Sequence, residues 1–345
     1  MLKSLQSLRG IYAIMIFLHH FPVDGKGLFA AGGDCGVDFF IMLSGFVMSA
    51  GYFRRLTEGN ERYSRYMWRR VARLYPLHLL CLAFYLLLYG SRLGIGSCVV
   101  LLPNLLLLQS WIPVEAVYFS GNAVSWCLSD LMFCYAIFPF LAMFCHRTRK
   151  WFTSCTIAAT AAYFALIWFI PDRLETALIY IFPPTRLLDF VWGMILWTVY
   201  SGIKPSATTR KGGLKKSVAE FAAIGITVAG CIFFGDITSR LTLASYWWIP
   251  SAVMIMTFAV NDGNGGIVSK VLSSRPLVAF GNVSFSFYML HVLLITCYRR
   301  LVEAELVPAN PWIALPALLI ITTGLSFLVY YKYEKPIGTW LNGKR

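Results

Sequence analysis

The sequence predicts an all-α protein, a polytopic bundle of about ten membrane-crossing helices. Three observations carry this. First, its 345 residues are 58% hydrophobic and 13% charged, with a mean hydropathy of +0.65, more apolar surface than one soluble core hides. Second, apolar stretches of membrane-crossing length recur from residue 5 to residue 331 with no long polar block between them, so residues 1–345 read as one integral membrane domain. Third, the basic residues fall on alternate loops, as the positive-inside rule requires.

The spans fall near 5–22, 34–52, 73–91, 123–145, 151–170, 179–200, 217–235, 243–260, 281–300 and 312–331. Each is long enough for a hydrocarbon core of ~30 Å. The first holds Arg9 and His20. Eleven helical residues turn the chain through about 1,100°, close to three whole turns, and rise about 16 Å, so the two side chains share one face. The second places Asp38 near its outer end, and the third is introduced by a loop rich in arginine. The stretch 98–110, which holds Pro103 and Asn104, is too short to cross and reads as interfacial or re-entrant. Trp126-Cys127-Leu128-Ser129-Asp130 opens the fourth span, and the sixth carries Arg186 and Asp189, three apart and able to pair on one face. Residues 201–217, rich in Lys, Gly, Ser and Thr, read as a flexible cytoplasmic linker. The ninth span brings Ser284, Tyr288 and His291 onto neighbouring turns.

With the N-terminus inside, the outer loops hold Lys26, Arg92, Arg173, Arg240, Arg299 and Arg300, and Arg186 lies within a span; the other 23 of the 30 basic residues are cytoplasmic. Both termini are therefore expected in the cytoplasm. The net charge of +14 is then a membrane signal, and with no nucleic-acid motif no nucleic acid partner is expected. The nine cysteines are scattered, without C-x-x-C or metal spacing, which predicts free, buried thiols and no metal. His19 and His20 end the first apolar run and no convincing cleavage site follows, so this segment is expected to be retained.

Ionisable groups inside spans are expensive and mark functional pathways. Arg9 and His20 are the sharpest pair, against the blander reading of Arg9 as a snorkelling anchor. The second constellation is Arg65, Arg69 and Arg73 at i, i+4, i+8, with Arg70 beside them. Planar guanidinium forks at the membrane edge suit phosphate; the rival reading is an anchor on anionic headgroups. Asp38, Trp126, Arg186, Ser284, Tyr288 and His291 are the other polar or amphipathic groups that a cavity would accommodate.

In order along the chain stand Leu8-Arg9-Gly10 with His20 at R-x10-H spacing, Gly36-Val37-Asp38-Phe39-Phe40, Leu43-Ser44-Gly45-Phe46 and Arg70-x-x-Arg73-Leu74-Tyr75-Pro76. Trp126-x-Leu128-Ser129, Tyr135 with Phe138-Pro139, and Arg186-x-x-x-Phe190-x-x-Gly193 follow, then Gly281-x-x-Ser284-x-Ser286-x-Tyr288-x-x-His291 and Glu334-Lys335-Pro336. This set resembles the acyltransferase-3 family of integral membrane O-acyltransferases, which includes bacterial surface-polysaccharide O-acetyltransferases. The resemblance implies transfer of an acyl group, commonly acetyl, from cytoplasmic acyl-CoA to a hydroxyl of a carbohydrate or lipid-linked glycan, in a bacterial inner membrane. His20 is then the expected general base. Arg9, Tyr288, Ser284 and Asp38 are expected beside it in catalysis, with Arg9, Ser284 and Tyr288 as candidate oxyanion stabilisers. Arg65, Arg69, Arg70, Arg73, Arg186, His291 and Trp126 are expected to bind donor or acceptor. No permanently bound cofactor is expected; acetyl-CoA or another acyl-CoA is a substrate, membrane lipids are partners, and a homo-oligomer is compatible with the sequence.

Two departures from the family pattern stand out. The position where relatives carry a glutamate is Leu131, and the nearest acid, Asp130, is turned ~100° away. Many relatives also append a soluble SGNH domain, whereas this chain continues 14 residues past its last expected span, so acyl transfer is expected to finish in the membrane domain or on a separate partner. The rival class is an exporter or flippase of a small polar or glycolipid substrate, which would show inverted repeats or paired broken helices. Neither is evident.

Overall fold

The structure, a computed structural model, describes residues 2–23, 26–90, 95–203, 213–262 and 265–343, and 85% of it is helical. Helices α1 (Lys3–His20), α2 (Ala31–Thr57) and α3 (Tyr63–Tyr89) precede two short ones, α4 (Ile95–Leu105) and α5 (Glu115–Tyr118). Then come α6 (Trp126–Arg147), α7 (Arg149–Leu166), α8 (Pro183–Gly202), α9 (Gly213–Ile232) and the one-turn α10 (Ser239–Thr242). The chain ends with α11 (Trp248–Val260), α12 (Ile267–Leu272), α13 (Arg275–Glu303), α14 (Pro311–Val329) and α15 (Lys335–Gly343). Between α1 and α2, Pro22–Val23 and Lys26–Gly27 pair as a two-residue antiparallel ribbon.

Among the described residues, six helical stretches are long and apolar enough to cross a membrane: Ala31–Thr57, Tyr63–Tyr89, Ala123–Arg147, Arg149–Phe169, Arg275–Glu303 and Pro311–Gly343. A seventh is reached if Asp172–Ile181 and Pro183–Gly202, bent by 41°, form one span. This is an all-α membrane protein, with six or seven helices qualifying where the sequence predicts ten spans. The physical reason is composition: α1 holds Lys3, Arg9, His19 and His20, α9 holds Lys215, Lys216 and Glu220, and the apolar helix ending in α11 runs only Ser245–Val260. Eleven-residue α4 rises about 16 Å, half the hydrocarbon thickness, and ends where Leu107 takes a left-handed conformation with φ 56°. Arg92, most of the expected linker at 201–217, Lys344 and Arg345 lie outside the described residues.

Close approach of helix backbones sets the architecture. A Cβ at Gly45 would lie 1.9 Å from the carbonyl oxygen of Phe190, and one at Gly193 1.9 Å from that of Met42, so α2 and α8 cross backbone to backbone. Such small-residue seams are how helices associate in lipid, where apolar side chains gain nothing from leaving solvent. Gly281 does the same for α13 against the carbonyl of Gln6 on α1. Tyr12 and Phe39 stack at 3.8 Å between α1 and α2. On the outside, Leu87, Phe169, Ile232, Ile249 and Ile320 are exposed, as lipid-facing positions are. All eight cysteines whose side chains are described are free; Cys35, Cys81, Cys127, Cys134 and Cys145 are buried, whereas Cys155 is exposed and Cys231 and Cys297 are half-buried.

Candidate functional site

Helices α1, α2, α3, α6, α13 and α15, with the turn that follows α14, line a cavity of about 930 Å³. That is at the upper end of the ~300–1,000 Å³ typical of small-molecule sites. At one end stand three arginines of the first turns of α3. Arg70 donates to the hydroxyl of Tyr52 at 2.8 Å and lies 4.8 Å over that ring. Arg69 pairs with Glu61 at 2.9 Å, which also holds Arg55 at 2.6 Å. Arg73 pairs with Glu334. Arg65, the first member of the expected stripe, is exposed and does not line the cavity. Arg9 does.

Glu334 is a site residue whose part sequence reasoning missed. It was visible only as an acid at the end of the last span, within Glu334-Lys335-Pro336. Its placement depends on a π-helical turn, Tyr330–Glu334; the wider turn carries the carboxylate back to the bundle, where it accepts from the hydroxyl of Ser286 at 2.6 Å.

From Tyr52 the cavity follows α2 to Val37, fifteen residues or about 22 Å of helix. Along this wall Ser284 and Gln6 present a hydroxyl and an amide oxygen with no hydrogen-bond partner in the protein. Leu131, at the family glutamate position, also lines it. Asp130 does not line it, and its buried carboxylate lacks a hydrogen-bond partner in the protein.

The inner end is closed by Val37, Phe40, Cys127, Leu128 and Tyr288. Tyr288 is pinned by the bond its hydroxyl donates to the Val124 carbonyl at 2.8 Å, and its ring lies 6.1 Å from that of Phe40 and 5.8 Å from that of His291. Beyond it, His291 of α13 meets His20 at the end of α1: the rings are 5.1 Å apart, edge to face, with His291 Nε2 3.3 Å from His20 Nδ1. Neither histidine lines the cavity. His19 instead turns to the α2 start, its Nδ1 2.7 Å from the Ala30 carbonyl and its ring where a side chain at Gly33 would stand.

The remaining expected residues lie elsewhere. Arg186 is wholly buried, 2.8 Å from Asp189, 3.8 Å from Asp38 and 3.3 Å from the Leu243 carbonyl, while Asp189 also accepts from the indole of Trp248. This knot ties α2, α8 and α11 together, and a charge so enclosed is kept by its partners. Trp126 packs 4.7 Å from Tyr180, and its carbonyl accepts from Ser110 at 2.8 Å. Asp38, Arg186 and Trp126 therefore face the bundle interior beside the cavity, not the cavity itself.

The family profile described as an acyltransferase domain matches residues 2–331. The chain belongs to that family. Acyltransferase MdmB of Streptomyces mycarofaciens is 27% identical over 381 aligned positions, covering 100% of this chain and 93% of the relative. The putative membrane-bound transacylase BcsY of Komagataeibacter xylinus is 26% identical across 84% of this chain and 72% of its own length. O-acetyltransferase OatA of Staphylococcus aureus is 25% identical across 97% of this chain, which spans 57% of that protein. No solved structure matches. This acyltransferase-3 chain is a membrane-bound O-acyltransferase.

Proposed function

We propose that the chain transfers an acyl group, commonly acetyl, from acyl-CoA to a hydroxyl of a carbohydrate or lipid-linked glycan. One observation carries the reading: a single cavity runs from three arginines at one face of the bundle to a tyrosine wall with a histidine pair behind it. Guanidinium groups suit the phosphates of CoA, and the ~22 Å length suits an extended thiol-bearing arm with its reacting carbonyl at the far end. Arg69, Arg70 and Arg73 hold the phosphates, Gln6 and Ser284 face the arm, and the thioester meets His20 when the Tyr288 ring turns aside.

His20 takes the proton of the acceptor hydroxyl as its oxygen attacks the thioester carbonyl, a step worth roughly 10²–10⁴-fold. The tetrahedral intermediate collapses with loss of the CoA thiolate, which recovers the proton from the imidazolium. Of the expected oxyanion stabilisers, Ser284 and Tyr288 remain candidates, whereas Arg9, about 16 Å of helix from His20, lies beside Arg73 and Glu334 at the arginine end. The reading includes one domain over 1–345 and ten crossings. Both termini and the arginine end of the cavity then lie on the cytoplasmic side of a bacterial inner membrane, where acyl-CoA is made. The deciding experiment is transfer of labelled acetyl from acetyl-CoA to glycan acceptors in purified membranes. We expect incorporation that His20→Ala abolishes with insertion intact; full incorporation in His20→Ala overturns the reading.

A further inference from the structure

The pair His20 and His291 has a polarity that its hydrogen bonds dictate. His291 Nδ1 stands 2.6 Å from the carbonyl oxygen of Tyr288, and a carbonyl only accepts, so that nitrogen carries the proton. In a neutral imidazole the other nitrogen is then a bare acceptor. That nitrogen, Nε2, faces His20 Nδ1 at 3.3 Å. His20 Nδ1 is also 2.9 Å from the carbonyl oxygen of Ile16, so it too carries a proton, directed between two acceptors. The consequence falls on the far side of the His20 ring: its Nε2 is unprotonated.

We infer that His291 is a positioning residue which fixes the tautomer and ring plane of His20, leaving His20 Nε2 as the nitrogen that accepts the hydroxyl proton. This rests on His20 being the base. It departs from the expectation that His291 binds substrate, because both of its ring nitrogens are already engaged within the protein. A nucleophile, a base and a third group that orients the base form the recurrent logic of acyl transfer; here the third group is a neutral imidazole. The choice suits the depth. A carboxylate beside His20 would add a full charge to the bundle interior, whereas His291, wholly buried, is neutral there. When His20 becomes imidazolium, its Nδ1–H bond to His291 becomes charge-assisted and shortens. The orienting contact is thus strongest when it is needed.

The pair joins two elements. His20 ends α1 and His291 lies in mid-α13, and Gly281 lets those helices approach at their other end. The orientation of the base therefore depends on α13, and is independent of the arginine end of the cavity.

The test compares the full-length protein with His20→Ala, His291→Phe and His291→Gln in steady-state acetyl transfer, with acetyl-CoA binding and thermal unfolding as checks on folding. Glutamine places its amide oxygen near the position of Nε2 and can still accept from His20 Nδ1; phenylalanine keeps the ring and cannot. We expect His291→Phe to lower kcat about 10–100-fold, the usual loss on removing an orienting partner, with KM for donor and acceptor unchanged, and His291→Gln to recover much of kcat. A raised acceptor KM at unchanged kcat in His291→Phe overturns the inference in favour of substrate binding. Equal loss in both His291 variants overturns it in favour of packing, and the Gln variant decides this even where the Phe variant does not fold. If His20→Ala is inactive while His291→Phe keeps wild-type kcat, the inference fails and His20 as base stands; if His20→Ala is active, both fail.

Discussion

Arg73 already has a carboxylate partner, Glu334, a residue that also accepts from Ser286. On the proposed function, a donor phosphate must therefore share or displace Glu334. Glu334→Gln keeps an oxygen for Ser286 and removes the competing charge. With Arg73 partly exposed, the competition is worth about 1 kcal/mol, so acyl-CoA should bind about fivefold tighter in Glu334→Gln, as read by titration calorimetry in detergent. Arg73→Ala should weaken binding about 10–100-fold, since charge-assisted contacts contribute roughly 1.5–3 kcal/mol each, and Arg73→Lys should recover only part, because lysine lacks the bidentate fork. Unchanged affinity in Arg73→Lys and Arg70→Lys would return the cluster to a headgroup anchor. Legibility at this scale follows the helix: the eleven-residue separation of Arg9 and His20 and the i+4 arginines need only 3.6-residue periodicity. Glu334 needed a π-turn, and His291 needed a neighbouring helix, neither of which a local pattern encodes. The i+4 spacing makes the arginines one stripe, yet Arg65 leaves it, because the cavity meets α3 only from Arg69 onward.

The seam glycines explain motif positions that look featureless in sequence. Leu43-Ser44-Gly45-Phe46 and Phe190-x-x-Gly193 are two sides of one contact, each glycine under the other helix's carbonyl. A methyl there forces backbones apart, and overpacking of this severity costs about 3 kcal/mol or more. Gly45→Ala and Gly193→Ala should each lower the thermal midpoint in detergent by several degrees, while Gly51→Ala, with nothing near its Cβ, should leave it unchanged or raise it slightly. Equal midpoints in Gly45→Ala and Gly51→Ala would remove the seam argument. Helix positions were legible here because a run of apolar residues reports burial in lipid directly. Crossing distances were not, since they depend on which helices meet, and neither was the inward turn of Arg186 and Asp38, which pair across α8 and α2.

For the molecule as a whole, the basic loops set an orientation: reporter fusions within 53–72, 146–150, 201–216 and 261–280 should all report cytoplasm, and an external signal at residue 210 would separate the arginine end from its acyl-CoA supply. Saturating acyl-CoA should also stabilise the bundle, by roughly 2.7 kcal/mol at a hundredfold excess over Kd. At the same concentration the stabilisation should fall to about 0.4–1.4 kcal/mol in Arg73→Ala and persist in full in His20→Ala, which distinguishes donor binding from chemistry. The tyrosine wall matters for a different reason. The cavity ends, away from the arginines, at Phe40, Leu128 and Tyr288, short of two imidazoles that lie in hydrogen-bond contact. Were that wall absent, a hydrated histidine relay would reach far across the bilayer, and each proton crossing it would dissipate about 2.3 kcal/mol per 100 mV of membrane potential. On the proposed function, the single phenol ring between the cavity and the imidazole pair keeps the base from becoming a proton leak.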